Sequence, residues 1–172
     1  DRCIGGGVSS CVTPIKLLGG NIRMSSAGKD CIGAGSYDGS CGIETGNATV
    51  DISCSRDNSV ALGSHCGYVD IKINGTKLML RSLGEREGCI GALSALDNDT
   101  PSQIDIRNAS LDLLMKSMRG SAVGCRKTEC DLNISDSDFN IHLEGEQVAG
   151  IGSSEGKGTL YASGSKIEIT SL

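Results

Sequence analysis

One unit recurs about every 28 residues along the sequence, and this period restricts the chain to folds in which similar units stack on one another. The clearest mark of the unit is an aliphatic residue followed by glycine. Two further pairs of apolar residues, each with one residue between its members, keep the same period. The aliphatic–glycine pair begins at Ile4, Ile32, Leu62, Ile90, Val123 and Ile151, with spacings of 28, 30, 28, 33 and 28 residues.

The apolar pairs alternate with polar residues at period two and are bounded by turn residues, a pattern typical of short β-strands. Strands this short become stable by stacking, so that each coil forms hydrogen bonds with the next. The sequence therefore predicts one all-β domain, a single-stranded parallel β-helix of six coils with three short strands per coil. It is expected to be right-handed, as parallel crossovers normally are. The predicted coils lie near residues 1–29, 30–59, 60–87, 88–120, 121–147 and 148–172.

Small residues dominate the composition, as a narrow coil interior requires. Glycine accounts for 25 of 172 residues, and tryptophan is absent. The glycine after each aliphatic residue is expected at a tight bend, or at a backbone φ that only glycine adopts easily. The longer spacing in the fourth unit predicts a loop that bulges outward around residues 95–102.

Nine cysteines occur, an odd number with no zinc-binding spacing. Seven of them stand at repeat positions where other units have small residues, which predicts that they pack as small apolar groups in the interior. Disulfides between adjacent coils remain open as an alternative. Abundant thiols fit a reducing cytosol or the surface of an anaerobe. The seven predicted structural thiols are Cys3, Cys31, Cys41, Cys54, Cys89, Cys125 and Cys130.

The charge of the chain excludes one class of partner. A net charge of -5 and a pI near 5.0 argue against nucleic acid, because phosphate binding needs a basic surface. The sequence has no run of 18 apolar residues, so no membrane insertion is expected. The outward row of the second strand is expected to form a ladder of paired charges that supports register and solubility. This row reads Lys16, Glu44, Lys72, Asp105, Asn133 and Tyr161.

Two groups of residues are candidate ligand sites. Asp97 and Asp99 in the inserted loop offer oxygen ligands for calcium, and a solvated acidic loop is the alternative. A basic patch beside the turn into the fifth coil could hold an anionic sugar or carboxylates of a partner, with solvated turn charges as the alternative. The patch comprises Lys116, Arg119, Arg126 and Lys127.

Histidines offer little support for catalysis. His65 and His142, the two histidines of the chain, fall at different repeat positions in different units. No histidine cluster or catalytic dyad therefore follows from their spacing.

Residues 15–24 (IKLLGGNIRM) and 29–40 (KDCIGAGSYDGS) combine a strand pattern with Gly-Gly and Gly-Ala-Gly turns. In this respect the chain resembles the glycine-rich β-helix repeats of large surface proteins from clostridia and their relatives. The resemblance covers the whole chain and concerns architecture, so it implies no catalytic residue and no cofactor. It implies an adhesive or carbohydrate-binding role at a cell surface.

Three functions are compatible with this pattern. The first is a non-enzymatic binding or adhesion module for a polysaccharide. The second is a structural or assembly module, which could also act inside the cell. This hypothesis is based on the ends of the sequence, which enters the repeat at once and stops on a strand. Its uncapped ends would then stack on a neighbouring domain or another copy. The third, a polysaccharide lyase, requires Asp97 and Asp99 to converge with Arg126 and Lys127.

Overall fold

A computed structural model describes residues 2–6, 14–28, 31–94 and 100–172, with backbone alone for residues 2–6. The described residues form sixteen β-strands and no helix, and thus no helix able to cross a membrane. The strands are β1 Arg2–Gly6, β2 Ile15–Ser26, β3 Ile32–Asp38, β4 Cys41–Cys54, β5 Val60–Cys66, β6 Val69–Asn74, β7 Lys77–Leu83, β8 Arg86–Ser94, β9 Ser102–Arg107, β10 Ser110–Lys116, β11 Arg119–Cys125, β12 Cys130–Ser135, β13 Asp138–Glu144, β14 Gln147–Ile151, β15 Gly158–Ser163 and β16 Lys166–Ser171.

The strands stack in three parallel columns. The first column is a 6-stranded sheet in the order β1-β3-β5-β8-β11-β14. The other two columns belong to a 10-stranded sheet, because the long strands β2 and β4 each pass through both. The second column continues through β6, β9, β12 and β15, and the third through β7, β10, β13 and β16. This arrangement is a parallel β-solenoid and confirms the predicted fold class.

Six levels of strand are connected by about 5 turns, slightly fewer than the six coils predicted. The difference arises because six stacked levels are separated by five steps. The step of roughly 28 residues is the predicted one.

The register within the second and third columns follows the sequence repeat. Ile71 pairs with Ile43 on one side and Ile104 on the other. In the third column, Leu80 lies between Ile52 and Leu113 in the same way. These apolar side chains are fully buried, since they point from both columns into the shared interior.

In the first column, one predicted register is wrong. The partner of Ile4 is Ala34 rather than Ile32, so Ala34–Gly35 is the aliphatic–glycine pair of the second unit. As a result, Cys31 does not share a position with Cys3 and Cys89. It immediately precedes Ile32, whose partner is Val60, and so lies level with Ser59.

A column of glycines explains this register. Gly35, Gly63, Gly91 and Gly124 are stacked, with φ values from +132° to +152° that L-residues rarely adopt. A Cβ built on Gly91 would lie 1.7 Å from the carbonyl oxygen of Gly124 on the next level. The backbones of successive levels therefore approach so closely that this position excludes a side chain.

Left-handed residues form the corner between the second and third columns. Asn47, Asn108 and Asp136 have φ values of 48°, 49° and 50°. Asparagine and aspartate adopt this conformation more readily than other non-glycine residues. The corner is thus repeated from level to level.

Candidate functional site

Outward side chains of four successive levels form one continuous surface on the second column. In the register of the sheet, each residue lies directly against its counterpart on the adjacent level. We call this surface the polar face. It consists of Lys72 and Asn74 on β6, Asp105 and Arg107 on β9, Asn133 and Ser135 on β12, and Tyr161 and Ser163 on β15.

Two adjoining depressions lie on the polar face. One of about 280 Å³ is lined by Lys72, Asn74 and Asp105, together with Arg107. The other, of about 530 Å³, extends from Arg107 to Tyr161 and includes Asn133 and Ser135. Arg107 lines both, so the two depressions adjoin one another along the rod. At about 4.8 Å per level, the four levels extend over roughly 14 Å.

Several side chains on the polar face have no polar partner in the part of the chain that the structure describes. Among the described residues, those of Asp105, Arg107, Asn133 and Tyr161 make no hydrogen bond or ion pair. Tyr161 is 67% exposed. These groups are therefore available to a ligand.

The outward side chains of the third column behave differently. Asp51 forms ion pairs with Arg23 at 3.3 Å and with Arg81 at 3.2 Å. One level apart, Asn140 donates a hydrogen bond to Asp112 at 3.4 Å. These polar groups of the third column thus bind one another across levels.

The predicted charge ladder of the second column forms only at its first step. Lys16 and Glu44 form an ion pair at 2.9 Å, as predicted. Lys72 instead pairs with Asp70 of its own strand at 3.2 Å, so its predicted pairing along the rod is wrong. Lys72 pairs with Asp70 because both side chains point to the same side of β6. Asp105 is therefore left without an ion pair among the described residues.

One residue of the predicted basic patch binds Glu155, and the charges of two others act on it. Arg126, 8% exposed, binds Glu155 through Nε at 2.8 Å. This hydrogen bond is the main cause that lowers the pKa of Glu155, and the charges of Lys127 and Arg119 add to it. Lys116 lies apart and pairs with Glu144 at 2.8 Å. Since Arg126 and Lys116 already hold carboxylates, a ligand role of the patch stays a prediction.

The predicted calcium ligands Asp97 and Asp99 lie outside the described residues, as does most of the inserted loop. The proposed lyase site would need both of them.

Buried thiols line the interior. Hydrogen bonds join Cys54 to Cys31 and Cys130 to Cys125, within one coil in each case rather than between adjacent coils. Burial raises the pKa of Cys89, which keeps this thiol protonated. A packing role for the thiols stays a prediction, and the side chain of Cys3 is outside the described part of the chain. The buried thiols, none of them in a disulfide among the described cysteines, are Cys31, Cys41, Cys54, Cys89, Cys125 and Cys130.

One carboxyl group is also fully buried. Glu87 accepts a hydrogen bond from the Ser82 hydroxyl at 2.7 Å and another from the backbone N–H of Ser59. Its Oε1 atom has no hydrogen-bond partner among the described residues. Loss of hydration on burial raises the pKa of Glu87 to about 9, so the carboxyl is protonated at neutral pH.

A cluster that the sequence analysis missed lies at the corner after the first column. Asp38 and Cys66 are register partners at the ends of β3 and β5, and His65 precedes Cys66. The 28-residue spacing of Asp38 and Cys66 is the available signal. The prediction paired Ile32 with Leu62, which is a spacing of 30 residues rather than 28. With that pairing, Asp38 is two residues out of register with Cys66, and the cluster is not recognised.

Comparisons with protein-family models, with curated proteins and with solved structures gave no match. The resemblance to clostridial surface repeats therefore stays a prediction.

Proposed function

We propose that this chain is a non-enzymatic binding module whose polar face holds a polysaccharide. The observation that carries the proposal is the run of unpartnered polar side chains over successive levels of one column. Asp105, Arg107, Asn133 and Tyr161 line two adjoining depressions and make no hydrogen bond or ion pair among the described residues.

The chemistry of these side chains suits sugar recognition. Carboxylate, guanidinium and amide groups together donate and accept hydrogen bonds, as sugar hydroxyls require. The exposed ring of Tyr161 offers an apolar surface with a polar tip, against which the C–H face of a sugar ring can pack. The outward side chains of a solenoid are regularly spaced from level to level, and such extended surfaces suit an extended polymer.

The charges of the polar face favour a neutral or weakly acidic polymer. Lys72 is paired with Asp70, so the unpaired charged residues of the polar face are Asp105 and Arg107. A strongly anionic polymer would encounter Asp105 and the overall charge of -5.

The proposal is tested by binding of the whole chain to a panel of neutral and weakly acidic polysaccharides, followed by calorimetry on those retained. Replacement of Asn133 by alanine removes hydrogen bonds from the centre of the face. Loss of about 1 kcal/mol per hydrogen bond predicts about a fivefold weaker affinity. Tyr161→Ala is expected to weaken binding by a similar or larger factor.

Asn140→Ala provides the matched control, because it removes the same side chain from the third column of the same coil. Its affinity should equal that of the unmodified chain. Equal losses in Asn133→Ala and Asn140→Ala would refute the proposed face. If no polysaccharide is retained and light scattering shows a stable oligomer, assembly becomes the preferred function. Shortening of the bound polymer would contradict a non-enzymatic role.

A further inference from the structure

We propose that Asp38, His65 and Cys66 form a binding site for a divalent transition metal, with zinc as the ion that best fits the three ligands. The site lies at the corner where the first column ends, on the second and third levels of the solenoid. It is separate from the polar face and does not depend on the polysaccharide proposal.

The ligand atoms are already close together. One ligand atom each from Asp38, His65 and Cys66 lies within 4.8 Å of the others, and all three residues are half-buried. In a tetrahedral zinc site, with bonds of about 2.0–2.3 Å, ligand atoms are roughly 3.5 Å apart. Small rotations of the side chains, moving each atom by about 1 Å, would therefore bring them into coordination distance.

The backbone of this corner is held in place independently of a metal. The N–H of Gly39 donates to the carbonyl oxygen of Cys66 at 2.6 Å. The Ser64 hydroxyl donates to the same oxygen at 2.9 Å. The N–H of Gly67 bonds to the Ser94 carbonyl at 2.9 Å. The ends of β3, β5 and β8 are thus fixed relative to one another before an ion arrives.

Two neighbours position the ligands. The ring of Tyr37 stacks on His65 with centroids 4.6 Å apart and an angle of 4° between the planes, which fixes the imidazole plane. The Ser94 Oγ atom lies 2.8 Å from Cys66 Sγ. Metal binding deprotonates the thiol, and the Ser94 hydroxyl can then turn to donate to the thiolate.

The types of ligand select the metal. A thiolate and an imidazole favour zinc and similar ions over calcium and magnesium, which prefer oxygen ligands. Three protein ligands leave one position of a tetrahedral ion open to water or to a ligand from solution. The half-exposed corner allows such a ligand to enter.

The test uses the whole chain, without an affinity tag and stripped of metal by a chelator. Cobalt(II) replaces zinc as the probe, since a cobalt–thiolate bond produces a charge-transfer absorption in the near ultraviolet. We expect this absorption to saturate at one ion per chain, and zinc to displace the cobalt. Cys66→Ser should lose the absorption, while Asp38→Asn and His65→Gln should weaken cobalt binding at least tenfold.

His142→Gln is the matched control, because it removes the other histidine of the sequence, an exposed residue on β13. It should bind cobalt as the unmodified chain does. Circular dichroism and thermal unfolding of each metal-free variant establish that it is folded. Absence of the thiolate absorption in the unmodified chain, or its persistence in folded Cys66→Ser, would overturn the proposal. Equal loss in His142→Gln and His65→Gln would do the same.

Discussion

Replacement of Glu87 by glutamine removes a proton-binding group from the interior and is expected to abolish one component of the pH dependence of stability. The amide has nearly the shape of the protonated carboxyl. Its oxygen can accept the hydrogen bonds that Ser82 and the Ser59 N–H now donate to Glu87. The packing of the coil is therefore preserved while the titration is lost.

The magnitude follows from the pKa values of the folded and unfolded chains. Burial raises the pKa of Glu87 from 4.5 to about 9, so the folded state retains a proton that the unfolded state releases. The stability associated with this proton is fully present below pH 4.5 and is lost as the pH rises towards 9. Between about pH 5 and pH 7, the free energy of unfolding should fall by about 1.4 kcal/mol per pH unit, or about 3 kcal/mol in total.

The assay is urea unfolding followed by circular dichroism, in steps from pH 5 to pH 7. A hydrogen bond from Cys54 is the chief cause that lowers the pKa of Cys31 to about 7. Because both chains contain Cys31, its ionisation near pH 7 affects both curves, and the comparison is made on their difference. The stability of Glu87→Gln relative to the unmodified chain should rise by about 3 kcal/mol over this interval. At pH 5 the variant is expected to be no more stable, because the amide nitrogen takes the place of Oε1, which has no hydrogen-bond partner among the described residues.

Glu146→Gln is the control, since Glu146 is an exposed residue outside the strands. It should retain the slope of the unmodified chain. Parallel curves for the unmodified chain and Glu87→Gln between pH 5 and pH 7 would refute the reasoning, because Glu87 would then be ionised in the folded protein.

Three further predictions concern the interior and the corner of the coil. Gly91→Ala places a Cβ 1.7 Å from a carbonyl oxygen and should cost about 3 kcal/mol or more in urea unfolding. Gly152→Ala, with a positive φ but no atom within 4 Å, should cost about 1 kcal/mol, and equal losses would exclude the close contact as the cause. Leu80→Ala should cost about 2–5 kcal/mol in the same assay, and a loss below 1 kcal/mol would contradict its full burial. In metal-free folded protein, Cys66 is half-buried and should react rapidly with Ellman's reagent. Cys66→Ser should therefore lower the number of rapidly reacting thiols by one per chain. An unchanged number would show that the Cys66 thiol is protected.

The sequence was sufficient to predict the solenoid, because its apolar residues repeat with the period of the coil. Ile43, Ile71 and Ile104 can be aligned by eye, and the structure places them in register. The first column was harder, since Ile32–Gly33 and Ala34–Gly35 both fit the aliphatic–glycine pattern. The choice between them depends on the contact between stacked backbones, which a linear pattern does not contain.

The candidate sites were less predictable because they, too, depend on contacts in space that a linear pattern does not contain. Whether Lys72 would pair with Asp70 or along the rod depends on side-chain geometry within one strand. The cluster of Asp38, His65 and Cys66 depends on the register of the first column, where an error of two residues separates its members. A small error of alignment thus preserves the fold prediction and removes the site.

The glycine column limits how the rod can change in length. Because Gly35, Gly63, Gly91 and Gly124 must face one another, sliding one level by a single residue would bring a Cβ against a carbonyl oxygen. Insertions and deletions are therefore tolerable in the connections between strands, or as whole coils that each bring their own glycine. Tandem duplication of a complete unit is the form of genetic change that lengthens such a chain without disturbing its neighbours.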